Sequence, residues 1–452
     1  MDDGTQACGL TELLARRAAN LRYEDIPEPA RMLARQCVLD YLGVAIAGAA
    51  EPLVRMLRDE MSEAGGAEQA SIIGNPVRLP EWSAALVNGA AAHALDYDDV
   101  NIAIPGHPSV AILPGLLALA EREKASGHDL MLGFVAGYEI ACRIGAALQP
   151  GHYDLGFHAT GTVGSFGAAV ACARVLDLPA AAIARALGIA GTQAAGLKSQ
   201  FGTMCKPFHA GRAAQNGLLA ARLAARGFTG RADIVECEQG FAATHGHDFS
   251  PAAALAPPPG GFHILGNLFK YHAACYFTHA PIECARKLRN AHAVAPEQMR
   301  EIVLRVDAVA DRVCNLRAPT NGLESKFSLR QTIAMALSGI DTASLVAYSE
   351  RNAQDPLLTG LRDRVVIEFQ GGWPQTLAEL DIVRVDGTRV TARHDAGIPA
   401  HDIAEQGRRL VGKFDTLVEP LLGAARTREL RETVLALDEL VDIGTLARLA
   451  AG

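Results

Sequence analysis

Two stretches decide the fold: Asp129–Leu148, DLMLGFVAGYEIACRIGAAL, and Gly161–Leu176, GTVGSFGAAVACARVL. Apolar and small residues fall on nearly every side of a 3.6-residue turn in both, and no strand-like alternation breaks them. A helix of that kind is buried on most sides, and its Gly and Ala positions let neighbouring axes come close. Working outward, the segments 80–96, 108–124, 179–198 and 210–226 carry apolar residues at spacings of three and four. Gly, Pro, His and Asp clusters separate them. Upstream, Ala30, Leu33, Cys37, Val38 and Leu42 repeat the pattern. A helical body is therefore expected from Leu10 to about Leu268. The stretch Pro251–Gly261, PAAALAPPPGG, reads as the clearest linker-like segment.

The character changes after about residue 295. Ile302, Leu304 and Val306 alternate as one face of a strand, and Val365, Ile367 and Phe369 do the same. Asp381–Arg393 reads as a hairpin about Asp386-Gly387, a pair suited to a tight turn with positive φ. Helical segments are expected at 326–337 and 342–350, and again from Ile403 to Leu422 and Arg426 to Ala450. The expected class is mainly α. A large all-helical domain (1–267 and 399–452) carries a smaller inserted α+β lid domain (268–398), and a cleft between body and insert is the default place for a site.

A net charge of -8 leaves no basic field for nucleic acid, so no nucleic-acid partner is expected. With 49% hydrophobic and 20% charged residues, disorder is excluded as the main state. No uninterrupted apolar stretch of about 18 residues is seen, so no membrane span is expected. Nine scattered cysteines without a CxxC pair suit a reducing compartment. The acidic start, Asp2 and Asp3, lacks a signal pattern, and a cytoplasmic location is expected.

In a chain this acidic, an anionic substrate needs a local cationic cluster. Lys206, His209 and Arg212 lie within seven residues in GTMCKPFHAGR (202–212), beside Phe201, Met204 and Phe208. Lys206 precedes a proline and is expected in an extended turn; His209 and Arg212 follow at spacings of three and can share a helical face. Two further clusters sit at helix starts. His93-Ala-Leu-Asp96-Tyr97-Asp98-Asp99 is followed by His107-Pro108, which places an imidazole beside a helix N-terminus. Glycines bracket His158, Thr160 and Thr162 just before a small-residue helix. The spacing of His93, Asp96, Asp98 and Asp99 matches no standard metal-ligand set, and Asp98 and Asp99 also read as solvated acids at a helix end. In the insert, His279 and Arg330 are candidates to reach the cleft from the lid side.

Taken together, HALDYDDV, GHPSVAILPGLLALAE, FVAGYEI, GFHATGTVGSFGAA, MCKPFHAGRAAQNG, YFTHAPI and ESKFSLRQTIAMAL resemble the MmgE/PrpD family, in order, from about residue 10 to 450. That family includes 2-methylcitrate dehydratase, cis-aconitate decarboxylase and iminodisuccinate epimerase. The resemblance implies a large all-helical domain with a smaller α+β lid, a homodimer, and no metal or organic cofactor. It carries the family's site onto Asp96, His107, His158, Lys206 and His279, with His209 and Arg212 nearby. Two positions depart from the decarboxylase pattern: Val100 stands where threonine is usual, and Arg330 where tyrosine is usual.

The family's reactions share proton transfer, or its decarboxylative equivalent, at a carbon beside a carboxylate. Negative charge builds there, so cations and hydrogen-bond donors must meet it, and an acid and a base are needed near neutrality. The expected function is a cofactor-independent lyase, a dehydratase of a small di- or tricarboxylate. Lys206 and Arg212 would bind carboxylates, with His209, Arg330 and Thr160 as further substrate-binding groups. His107 and His158 would serve as acid and base, and Asp96 would orient His107 or activate the leaving group. An epimerase of an iminodisuccinate-like dicarboxylate is the alternative, and a decarboxylase stands behind it. A noncatalytic carboxylate-binding protein represents a different class, and a metal hydrolase through His93, Asp96, Asp98 and Asp99 a third.

Overall fold

A computed structural model describes residues 9–292 and 295–452. The chain divides into two compact units, one formed by the segments Met1–Phe269 and Asp402–Gly452 and the other by Lys270–His401. Cys8 lies outside the described residues; Cys37, Cys142, Cys172, Cys205, Cys237, Cys284 and Cys314 are free thiols.

The first unit is built on α1 (Glu28–Gly48), α2 (Glu81–His93), α3 (Pro108–Glu123), α4 (Gly127–Ala147), α5 (Ala159–Val175) and α6 (Cys205–Ala225). Pro108 opens α3 at its first turn, where a missing N–H costs nothing. Ser126 and Asp129 form a reciprocal cap that starts α4. The small-residue stripes are where backbones touch. A Cβ on Gly137 of α4 would sit 2.4 Å from the Gly167 carbonyl oxygen of α5, and one on Gly217 of α6 would sit 2.3 Å from the Ala168 methyl. Every residue of α5 from Ala159 to Ala173 is consequently buried. α4 is long and apolar enough to cross a membrane, yet 89% of its most apolar window is buried within the protein, and it carries Glu139 and Arg143.

Two expectations need correction here. The unit is not all-helical: β1 (Ala70–Ser71) and β2 (Arg78–Leu79) form a short antiparallel ribbon. Ala70, Ile72 and Leu79 there pack with Val54, Val87 and Ala91, so the ribbon seals one side of the core. Nor is 251–261 a linker. Ser250 caps a helical turn over Pro251–Leu255, and the Ala254 carbonyl accepts a 2.7 Å hydrogen bond from the buried Arg143 guanidinium.

In the second unit, α7 (His279–His292) and α8 (Leu329–Leu337) accompany a mixed sheet of β3 (Met299–Asp307), β4 (Val365–Gln370), β5 (Leu377–Arg384) and β6 (Arg389–Asp395). The strand order is β4-β3-β5-β6; β3 and β4 run parallel and the other pairs antiparallel. The hairpin turns at Gly387, φ +85°, while Asp386 accepts from the Thr388 N–H and hydroxyl. The helix expected at 342–350 does not form. A 3-10 turn covers Leu345–Ala347, and the Ser349 hydroxyl caps a separate short helix, Glu350–Gln354. After this unit the chain returns to the first through α9 (Ile403–Leu422), capped by Asp402 and packed on α1 through Leu410, Phe414 and Leu417.

Candidate active site

Four helix ends of the first unit supply the site. α2 ends at His93, and the chain then turns through Asp96, whose φ of +49° is left-handed. Aspartate tolerates that conformation better than most residues, and its N–H closes the turn on the His93 carbonyl at 3.2 Å. His107 and His158 are the residues immediately before α3 and α5. The Thr160 hydroxyl accepts from the His107 N–H at 3.1 Å and ties these two helix starts together. Thr160 is thus engaged in holding backbone.

Asp98 is at the centre, 1% exposed. His93 Nδ1 stands 2.9 and 3.0 Å from its two oxygens. His107 Nδ1 stands 2.9 Å from Oδ2, though off the hydrogen-bond direction. Burial raises the Asp98 carboxyl, but His107 and His93 outweigh it and hold the group well below the usual carboxylate range. Burial pushes His93 down to about 4 against the pull of Asp98, with Lys206 and His107 adding to the shift. Asp99 faces away, accepts a 2.5 Å bond from Ser109, and is pushed up to about 7 by burial despite that bond; Asp40 and Asp98 contribute. Neither aspartate is a solvated acid at a helix end, as the sequence also allowed.

Lys206 donates to Asp96 Oδ1 at 2.7 Å, and His107 Nε2 lies 3.7 Å from the same oxygen. Lys206 occupies the first turn of α6 rather than an extended turn. Pro207 is accepted there because first-turn N–H groups have no intrahelical partner. One turn on, His209 Nδ1 meets His158 Nδ1 at 3.0 Å. Two imidazole Nδ1 atoms bond only when one carries the proton, so this pair is held as donor and acceptor. Burial, followed by the charges of His93, Lys206, His107 and His209, keeps His158 well below the ordinary imidazole value. The His93 ring lies 4.6 Å from His107 and 5.9 Å from His158, centroid to centroid.

Asp96, His107, His158, Lys206 and His209 are therefore gathered in one place. Arg212 is not: it is exposed, bonds Gln215, and lines a separate hollow with Trp82, Gln193 and Asn216. Each spacing of three falls about 60° short of a full circle, so two in succession leave Arg212 about 120° round the helix from Lys206 and off the face that meets Asp96 and His158. In the second unit, His279 begins α7 buried, its ring 5.0 Å from both His272 and Tyr276, with Nε2 unpartnered. Burial, His272 and Lys270 keep it well below its ordinary value. Arg330 bonds Asn315 and the Val365 carbonyl, so its guanidinium ties α8 to β4.

His93, Asp96, Asp98 and His107 offer one ligand atom each within 4.8 Å of one another, a set able to hold a cation. The Lys206 ammonium already occupies Asp96, and both imidazole Nδ1 atoms are turned to Asp98. A divalent ion would have to displace that arrangement. His93 and Asp98 were visible in the sequence only as part of an unmatched metal spacing. The signal for their true place was a histidine ending a buried helix, five residues before an acid.

The class so defined is a helical protein with imidazoles and carboxylates packed at helix starts around one lysine. Its sequence matches the MmgE/PrpD N-terminal domain over residues 12–253 and the MmgE/PrpD C-terminal domain over 272–439. The chain belongs to the MmgE/PrpD family. It is 28% identical to the cis-aconitate decarboxylase of Aspergillus terreus (strain NIH 2624 / FGSC A1156), over 99% of this chain and 97% of that protein. It is 28% identical to the Homo sapiens cis-aconitate decarboxylase, over 98% of this chain and 95% of the relative. The Mus musculus enzyme of the same name is also 28% identical, over 98% and 93%.

Proposed function

We propose that the protein is a cofactor-independent lyase that dehydrates a small di- or tricarboxylate of the 2-methylcitrate kind. The observation that carries this reading is the Lys206–Asp96–His107 contact set beside the His158–His209 pair. The ammonium of Lys206 meets the substrate carboxylate and the charge that grows next to it. His158 is kept neutral by burial and takes the proton from carbon. His107, backed by Asp98, delivers a proton to the departing hydroxyl, and Asp96 steers His107 through the carboxylate oxygen that both His107 and Lys206 approach. His279 is proposed as a further acid–base group on the strength of the family resemblance. The protein is proposed to act as a cytoplasmic homodimer.

A second reading, decarboxylation, is favoured by the names of the relatives. It needs the same lysine and a proton donor to the carbanion, but no leaving hydroxyl. Val100 and Arg330, at positions where the family resemblance leads to threonine and tyrosine in decarboxylases, count against decarboxylation. A panel of polycarboxylates followed by proton NMR in heavy water separates the two. Dehydration across the methyl-bearing carbon of a 2-methylcitrate-like substrate removes its C–H, so the methyl doublet collapses to a singlet with all carboxyl groups retained; decarboxylation of cis-aconitate gives a product one carboxyl shorter. Decarboxylation alone would overturn the dehydratase assignment.

A further inference from the structure

We propose that Lys413, on helix α9, is a positioning residue that holds the acid loop carrying Asp96 and Asp98. Its Nζ donates to Asp40 Oδ1 of α1 at 2.6 Å and to the Tyr97 carbonyl at 2.7 Å, and it lies 3.9 Å from the centre of the Tyr97 ring. The side chains of Lys413 and Asp40 are 3% and 2% exposed, and Tyr97 is fully buried. The Tyr97 carbonyl belongs to the peptide that leads into Asp98. On one side of Tyr97 stands the left-handed Asp96, which holds Lys206; on the other stands Asp98, which faces both His93 and His107. A second fastening follows at once, where Ser109 of α3 donates to Asp99 at 2.5 Å. The loop is pinned from both flanks, and Lys413 is the pin that comes from the far end of the chain.

Stability does not account for a charge at this place. Lys413 lies among Leu410, Phe414 and Leu417 on the buried face of α9, and an apolar residue with a neutral partner at Asp40 would pack there without desolvating an ion pair. What such a replacement loses is the bond to Tyr97. That bond fixes a peptide next to two carboxylates whose separation from Lys206 and His107 sets the proposed chemistry.

The inference rests on the lyase reading for its kinetic readout, so a second readout independent of turnover accompanies it. Lys413→Met alone would strand the Asp40 charge in the core. The test variant is therefore Asp40→Asn/Lys413→Met, compared with wild type by thermal melting, by kcat and KM on whichever polycarboxylate the wild type converts, and by the downfield proton signal of the His93 Nδ1–H held by Asp98. The expected result is near-native melting, kcat lower by roughly 100-fold with KM changed less than about two-fold, and a His93 signal shifted or lost to exchange. A variant that melts natively and keeps both wild-type kcat and an unmoved His93 signal would show Lys413 to be only a core ion pair, and would overturn the proposal. If the wild type converts no polycarboxylate, the lyase reading fails by itself. The His93 signal then decides: shifted in the variant, it supports the anchor; unmoved, it refutes it.

Discussion

Lys206→Met removes one charge and keeps the length of the side chain, and the structure separates its effect on stability from its effect on binding. The lysine is paired with Asp96 at 2.7 Å, but the Asp96 side chain is 40% exposed. An ion pair with one partner in water is worth about 1 kcal/mol or less. The variant should therefore melt within a few degrees of wild type. Binding is another matter, because a carboxylate docked on Lys206 is drawn out of water beside His107 and His158. Losing the cation from such a contact costs roughly 2–5 kcal/mol; the 16% exposure of the lysine places the expectation near the lower figure, which is about a 30-fold loss of affinity. Calorimetric titration with propane-1,2,3-tricarboxylate, which has no hydroxyl to eliminate, measures it. Asp96→Asn is the counterpart. It frees the ammonium from its partner, so the same ligand should bind as well or better while turnover falls. Unchanged affinity in Lys206→Met, or weakened affinity in Asp96→Asn, would refute the reasoning.

Four further outcomes follow. His93 is held neutral, with its folded value near 4 below the ordinary 6.5. The unfolded chain therefore takes up that proton first, and the stability present above pH 6.5 is lost as the pH falls toward 4. At about pH 5.5 the loss is roughly 1.4 kcal/mol. Asp99 and Glu139, raised to about 7 by burial, push the other way, so the clean comparison is with His93→Gln. Denaturant melts should show wild type losing about 1.3 kcal/mol more than the variant between about pH 7.5 and 5.5; parallel curves would count against the shift. Asp98→Asn leaves two imidazoles facing an amide and should cost about 1–3 kcal/mol in the same melts, with kcat reduced; an unaffected melt would mean the buried contacts are not formed. Activity should survive exhaustive chelation, since Lys206 holds the carboxylate a cation would need; loss on EDTA treatment with rescue by a divalent ion would reverse that view. Sedimentation at micromolar concentration should give a dimer, and a clean monomer would contradict it.

The helical body was legible because its buried helices pack through Gly and Ala, and small residues at helical spacing are hard to read otherwise. The strands around 302–306, 365–369 and 381–393 were legible from their alternation and from Asp386-Gly387. The ribbon at 70–71 and 78–79 was not, since two residues per strand carry no period. His107 and His158 could be placed because a proline and a glycine cluster mark the helix starts behind them. Arg212 was misplaced by counting spacing in threes without following its rotation round the helix. Asp98 and Asp99 were read as solvated because nothing in the run itself shows that His93, His107 and Ser109 close over them. Asp40 and Lys413, 373 residues apart, did leave a trace: each is the one charged residue among the buried positions of its helix. Only the fold shows that the two traces are one contact.

The central claim is proton transfer at carbon beside a carboxylate, with His158 as the base. Proton NMR in heavy water, with a polycarboxylate that binds the wild type, tests it most directly. The account predicts that the wild type washes deuterium into one C–H position of the ligand as it turns over. It also predicts that His158→Gln binds the same ligand within a few-fold and exchanges nothing. A wild type that binds polycarboxylates tightly yet leaves every C–H unexchanged would contradict the account and mark the protein as a carboxylate binder.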